Sequence, residues 1–397
     1  MILFDYDKAS HLMEVHGIDI LLPNSLLNAG YLADHWKNEL VSSFGAYLTG
    51  EDGVPYLLLV GLPRDQRIEP FTTCRTGGEE SDMAYTDVWI EDKRRWGPAM
   101  SSRAETAPFG AYDRVYSNPL EAAAEALRQR GLDRATIGVE LRFLGVEPYQ
   151  CLRSLLPEAR FVDALPLLSQ LRKVKSEEEV RRMRIAAQAT EQAIEASFAA
   201  VEDGVTGLDL ERVMGSNLYQ AGVRHEWMDT CMGPSGAKVI RPNKTPARRG
   251  EIVRFDVGAS YQHYQSDISR VGVLGEPSAR LLKVHDALRK ALEAVIEAAR
   301  PGVTAEHLYN VGNPIVESEG FRNYLTIVGH GLGRDIHEVP FLQRGDLTVL
   351  EPGMAFAIEL AVVLHDLGVV ALEDEIIITP DGNEQLSTKG RDLCIIE

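Results

Sequence analysis

Thiols are scarce in this sequence. Its 397 residues include only four cysteines, Cys74, Cys151, Cys231 and Cys394, which lie far apart and form no C-x-x-C pair. That excludes a zinc knuckle, a redox dithiol and a disulfide framework, and reduced thiols in a cytoplasm are the simplest reading. Basic charge is short as well: 41 Lys and Arg stand against 59 Asp and Glu, a net charge of −18. The acidity is spread over both halves, so no basic face exists for phosphates, and nucleic-acid and membrane partners are excluded. Long apolar runs are missing too. The most apolar long stretch, from Met354 to Leu372, is broken by Glu359, His365 and Asp366, so nothing spans a bilayer. The opening Met1-Ile2-Leu3-Phe4-Asp5-Tyr6-Asp7 lacks the basic lead of a signal peptide, and a cytoplasmic location is expected. No P-loop is present, and His225-Glu226 is not H-E-x-x-H, because Asp229 stands where the second histidine must be.

What is there is an ordinary globular composition, 45% hydrophobic and 25% charged, at a length that suits two domains. Up to about residue 168, short apolar strands alternate with helical segments, the pattern of a small α/β domain. Gly17 to Leu22 and Thr136 to Val139 read as strands, and Glu121 to Arg130 reads as an alanine-rich helix stopped by Gly131. Tyr47-Leu48 and Tyr56 to Val60 read as a hairpin about Glu51-Asp52-Gly53. Residues 61–118 show no clear period.

From 169 to 397 a second domain is expected. Ser176 and Glu179 form a capping-box signature, and Val180, Met183, Ala187, Ile194, Phe198 and Val201 then follow at helical spacing until Gly204. Two more helices are expected, one through Leu281, His285, Leu288, Leu292 and Val295, the other capped by Thr304. Between and after them run four strand-like segments: Glu251 to Ala259, Asp267 to Leu274, Met354 to Leu364 and Val369 to Thr379. Helices outside an antiparallel sheet make this half α+β.

Five side chains break the apolar patterning of those segments: Asp256, Asp267, His330, Glu359 and Glu373. Charges inside packed strands are costly unless paired or metal-bound, so several in one sheet suggest a shared cation. Four carboxylates and an imidazole suit two divalent ions, and oxygen-rich ligation favours Mn²⁺, Fe²⁺, Co²⁺ or Zn²⁺. Two such ions can generate a nucleophile at neutral pH and polarise a carbonyl, which implies hydrolysis.

Phe255-Asp256-Val257-Gly258-Ala259, Ser266-Asp267-Ile268-Ser269-Arg270, Gly329-His330-Gly331-Leu332-Gly333, Ile358-Glu359 and Leu372-Glu373-Asp374 resemble, in order and spacing, the creatinase/aminopeptidase P/prolidase group of pita-bread metallohydrolases. The resemblance covers nearly the whole chain. It implies a C-terminal pita-bread catalytic domain behind a smaller creatinase-like α/β domain. By the same resemblance Asp256 chelates one ion, Asp267 and Glu373 bridge, and His330 with Glu359 holds the other; Glu359 is thus both ligand and catalytic residue. His337 resembles the histidine that faces the substrate and steadies its carbonyl. His225, Asn243 and Trp36 are candidate substrate contacts, Trp36 because the N-terminal domain overhangs the partner's active site in dimeric relatives. Glu351, in Leu350-Glu351-Pro352-Gly353-Met354, is expected to be an exposed turn residue. Three positions depart from the peptidases: Asn243 stands near where they carry a histidine, Thr326 near another, and Ala371 where Arg often stands. The expected activity is that of a homodimeric Xaa-Pro aminopeptidase or dipeptidase acting on a small peptide. The alternatives are a hydrolase or lyase of a non-peptide amide metabolite and a non-catalytic interaction module.

Overall fold

The computed structural model describes residues 2–34, 59–75, 88–96, 115–238 and 241–397. Trp36 and the turn at Glu51-Asp52-Gly53 lie outside them. The chain divides into two units, Met1–Arg172 and Lys173–Glu397.

The first unit carries a seven-stranded mixed sheet built from β1 (Ile20–Leu21), β2 (Val60–Pro63), β3 (Phe71–Arg75), β4 (Asp92–Trp96), β5 (Val115–Tyr116), β6 (Thr136–Val139) and β7 (Arg160–Asp163), in the order β5-β4-β3-β2-β1-β6-β7. Its helices are α1 (Tyr6–Val15), α2 (Leu26–Ala33), α3 (Pro119–Gln129), α4 (Val146–Leu155) and α5 (Leu165–Lys173). Helix α3 starts two residues before the expected Glu121. The Asn118 side chain accepts from the Glu121 N–H at 2.9 Å, and Pro119 takes the first helical position, where its missing donor costs nothing. Strands β2 to β5 occupy the region whose period the sequence hid, because they are short and joined by long connections.

Glu140 is fully buried in this unit and fully used. Its carboxylate accepts from the Asn24 and Ser25 N–H groups at 2.8 Å each, from Ser25 Oγ at 2.7 Å and from Asn28 Nδ2 at 2.6 Å. Glu140 is therefore a buried carboxylate saturated with donors.

The second unit is α+β, as expected. Its helices are α6 (Glu177–Ala199), α7 (Gly207–Gln220), α8 (Ala279–Ala298) and α9 (Ala305–Ser318). Its strands are β8 (Arg224–Met232), β9 (Ile252–Tyr261), β10 (Tyr264–Leu274), β11 (Ile327–Gly331), β12 (Glu338–Gln343), β13 (Ala355–Leu364), β14 (Gly368–Thr379), β15 (Gly382–Gln385) and β16 (Cys394–Ile396). The main path, β12-β11-β13-β14-β10-β9-β8, is antiparallel throughout; β15 joins β14, and β16 joins β10 in parallel.

Helix α6 opens as expected, with the Ser176 N–H donating to Glu179 at 2.8 Å. It stops at Ala199 rather than running to Gly204, because Glu202-Asp203-Gly204 turns the chain toward the next cap, Thr206 with Asp209. Helices α8 and α9 cover one sheet face. Leu288, Leu292 and Val295 pack there with Phe356, Ile358 and Leu360 of β13 and Leu372 and Ile376 of β14, each fully buried side chain contributing ~1.5–3 kcal/mol. Alternation along β13 and β14 then sends Glu359 and Glu373 to the opposite face.

Candidate metal centre

Register alone assembles the site. Directly paired residues of antiparallel strands point to the same face, as do residues two apart on one strand. Glu359 pairs with Glu373, Glu373 with Ser269, and Ser269 with Asp256; Asp267 is two residues from Ser269. His330 pairs with Ala357, two residues from Glu359. All five candidate ligands therefore share one face, across β11, β13, β14, β10 and β9. A one-residue slip in any of these strands would scatter them.

His330 Nε2 lies 3.6 Å from Asp267 Oδ2, 3.6 Å from Glu359 Oε1 and 3.8 Å from Glu373 Oε1. Asp256, Asp267 and Glu373 bring oxygens within 4.8 Å of one another, and so do the donor atoms of Asp267, His330 and His337. His330 Nδ1 donates to the Gly331 carbonyl at 3.1 Å, so its Nε2 turns a lone pair toward the carboxylates. Gly329 makes that placement possible: at φ +151° with the Ala357 carbonyl where a Cβ would stand, no side chain fits.

Burial governs the electrostatics. It pushes Asp256 up against the opposing pull of Arg254, and pushes Asp267 and Glu373 far above the usual carboxylate range, these two also repelled by their acidic neighbours. Glu359 rises to about 7 through burial and then the Asp256 charge, and His330 falls to about 4 through burial and then His337. Every group is driven toward its neutral form, which is what carboxylates crowded without a counter-cation do. Asp256 Oδ1, Asp267 Oδ1 and Glu373 Oε1 are buried with no hydrogen-bond partner. Set beside the saturated Glu140, these orphaned oxygens and the His330 Nε2 that faces the carboxylates fit a hard or borderline divalent cation.

Other groups hold the ligands in place. Glu375 accepts from the Asp267 N–H at 2.7 Å, and Arg270 donates to the Glu373 carbonyl at 2.5 Å and to Asp374 at 2.6 Å. Ser387 Oγ reaches Asp374 at 2.7 Å and receives the Glu375 N–H at 2.8 Å. Gly258 lets β8 close on β9, since the Trp227 indole occupies the space of a Cβ.

The candidate substrate residues separate. His337 is exposed, with its ring centroid 4.4 Å from that of His330. His225 pairs with Ala259, on the other side of β9 from Asp256, and rests against Gly215 of α7, away from the carboxylate face. The Asn243 amide is used locally, donating to the Arg241 carbonyl at 2.9 Å and accepting from the Thr245 N–H at 2.7 Å. Trp36 is outside the described residues. Glu351 is exposed, Thr326 is exposed, and Ala371 is buried on β14.

Sequence reasoning missed Asp229, Arg241 and Arg254. Asp229 pairs with Asp256 across β8 and β9 and meets Arg241 at 2.9 Å; Arg254 Nη1 meets Asp256 Oδ2 at 2.9 Å. Arg254 was visible in principle, because it stands two residues before Asp256 in a strand and must share its face.

The family model of metallopeptidase family M24 matches residues 181–380, and that of the creatinase/prolidase N-terminal domain matches residues 6–174. The chain belongs to metallopeptidase family M24. This M24 protein is 34% identical to a Xaa-Pro dipeptidase of Lactobacillus helveticus over 295 residues, 72% of this chain and 79% of that one. It shares its fold with a solved Xaa-Pro dipeptidase from Bacillus anthracis at TM-score 0.81 and 21% identity, covering 98% of this chain and 99% of that one. An X-Pro aminopeptidase from Thermotoga maritima superposes at TM-score 0.76 and 19% identity, covering 99% of both chains. The expected architecture, a pita-bread unit behind a creatinase-like domain, is thus the observed one, and membership makes the protein a metal-dependent hydrolase of the peptidase class. Among the described residues no helix is long and apolar enough to cross a membrane.

Proposed function

We propose that this M24 hydrolase is a dinuclear Xaa-Pro dipeptidase or aminopeptidase, with Asp256, Asp267, His330, Glu359 and Glu373 as its metal ligands. The observation that carries the reading is the His330 Nε2 lone pair set 3.6–3.8 Å from three carboxylates whose oxygens include partnerless buried ones. Divalent ions held there supply Lewis acidity and a water acidic enough to react at neutral pH. Mn²⁺, Co²⁺, Fe²⁺ and Zn²⁺ all suit the donors.

The chain's own groups then divide the work. Asp267 and Glu373, at 5% and 3% side-chain exposure, are fixed ligands, whereas Glu359 keeps 20% and can exchange a proton with the reacting water and the leaving nitrogen. His337 stands at the exposed rim beside His330, placed to donate to the substrate carbonyl as charge develops on its oxygen. The similarity to the Lactobacillus Xaa-Pro dipeptidase supports a peptide substrate, family resemblance supports a homodimer, and the scattered, unpaired cysteines support a cytoplasmic location.

A second reading, a non-peptide amide substrate, is favoured by one observation: Asn243 spends its side chain on its own loop and offers nothing equivalent to a histidine. A panel of Xaa-Pro dipeptides, longer Xaa-Pro peptides and small amides, run on Mn²⁺-loaded protein, separates the two. Turnover restricted to Xaa-Pro bonds supports the first reading, and turnover of non-peptide amides alone overturns it.

A further inference from the structure

His337 stands in the bend between β11 and β12, outside both strands. The ladder there is irregular: Gly331 pairs with Glu338 but His330 with Phe341, so one step along β11 meets three along β12. Backbone pairing is disrupted where such a shift occurs, and it leaves the place of His337 to other contacts. Yet the exposed His337 ring sits edge-on to the buried His330.

Glu338, the next residue, supplies the fixing. Its Oε1 accepts from the Asp335 N–H at 3.3 Å, closing the bend on itself, and its Oε2 accepts from Lys175 Nζ at 3.1 Å. Lys175 is anchored in turn. Its N–H donates to the Gly353 carbonyl at 2.8 Å, and its Nζ also donates to the Lys173 carbonyl at 3.3 Å. A carboxylate one residue from His337 is thus tied, through Lys175, to the chain entering β13, the strand that carries Glu359. Gly333 completes the fit, since a Cβ there would stand 2.9 Å from both Glu338 Oε2 and Lys175 Cε.

Stability alone is a poor reason for this buried pair. Two charges buried together recover little beyond their desolvation cost, and apolar side chains of similar volume often hold a fold as well. What a charge-assisted bond adds is direction. Here the direction is set beside an imidazole whose contribution depends on where it stands.

We infer that Lys175 and Glu338 are positioning residues, which hold His337 at the place from which it donates to the substrate carbonyl. This rests on the role proposed for His337 above. Without the pair the bend loosens and the ring leaves that place, while Asp256, Asp267, His330, Glu359 and Glu373 stay where their strands put them.

The test is a double-mutant cycle on Mn²⁺-loaded protein with the dipeptide Ala-Pro as substrate. Lys175→Met with Glu338→Leu removes the pair without stranding a charge, and is measured alone and in a His337→Ala background. The pair variant should keep its metal content and KM and lose roughly 10–100-fold in kcat, the scale of a misplaced group. In the His337→Ala background the same change should cost little further, and Lys175→Arg, which keeps the charge, should retain most of the wild-type rate. The ring is also followed directly by nuclear magnetic resonance of isotope-labelled histidine in Zn²⁺-loaded protein. The His337 signal, assigned by its absence from His337→Ala, should relax as an ordered ring in the wild type and as a mobile one in the pair variant.

Full turnover in the pair variant, or an equal loss with and without His337, would overturn the inference and leave the hydrolase standing. So would full turnover in His337→Ala, or a ring equally ordered with and without the pair. Ala-Pro left intact by the wild type would overturn the peptidase reading instead, and the ring signal would then decide the inference. Should the double change fail to fold, Glu338→Gln, which keeps the shape and loses the charge, takes its place.

Discussion

His337 meets the His330 ring edge-on, with centroids 4.4 Å apart and planes inclined at 65°. The two imidazoles belong to different surroundings, since His330 is buried and His337 exposed. His337→Ala is therefore expected to keep its metal content and lose roughly 10²–10³-fold in turnover, the usual cost of one donor to a developing oxyanion. Metal analysis beside steady-state rates checks this; metal lost together with activity would make His337 a ligand instead.

Glu373 faces Glu359 across β13 and β14, so two buried carboxylates oppose each other when no cation is present. Burial opposes ionisation of Glu373 in the folded chain but not in the unfolded one, and Glu373→Gln removes that penalty. At pH 8 the metal-free variant should melt several degrees above the metal-free wild type, the shift ~1–2 kcal/mol produces in a unit of this size. Mn²⁺ should raise the wild-type melting point and leave the variant's nearly unmoved. A metal-free variant that melts below the metal-free wild type would sink the argument.

Lys175 and Glu338 form an ion pair at 3.1 Å with side chains 2% and 4% exposed, and Glu338 adjoins His337. Removing one partner strands the other's charge. Lys175→Met should cost ~3–5 kcal/mol in denaturant unfolding, and Lys175→Met with Glu338→Leu should recover most of it. If the double variant is no better than the single, packing rather than charge is what Lys175 supplies.

His285 lies inside the α8 core, where burial, then Arg289, lower its pKa from 6.5 to about 4. A histidine with a depressed folded pKa contributes stability that is whole above pH 6.5 and drains as pH falls toward 4. Relative to His285→Leu, the wild type should lose about 2 kcal/mol between pH 7 and pH 5. Unfolding curves that fall in parallel for the two proteins over that range would show His285 uninvolved.

The face that gathers Asp256, Asp267, His330, Glu359 and Glu373 was legible in the sequence because each interrupts an apolar strand, and strand alternation leaves such a residue nowhere to go but the other side. The Ser176–Glu179 capping box and the helices α6, α8 and α9 were legible for similar reasons of spacing. Helix α7 was missed although Thr206 and Asp209 spell its cap, because Asp replaces the more familiar Glu. The supports were hidden for a different reason. Glu375 reaches Asp267 and Arg270 reaches Glu373 across 108 and 103 residues of chain, and only register brings them together.

Glu140 and Glu373 are both buried carboxylates, but only one of them is content without a guest. The unit that carries Glu373 therefore has its folding equilibrium tied to the metal its surroundings provide. On the proposed ligation, metal starvation would let this unit open more often and expose it sooner to proteolysis. Its abundance thus becomes a record of how much metal was available while it lasted.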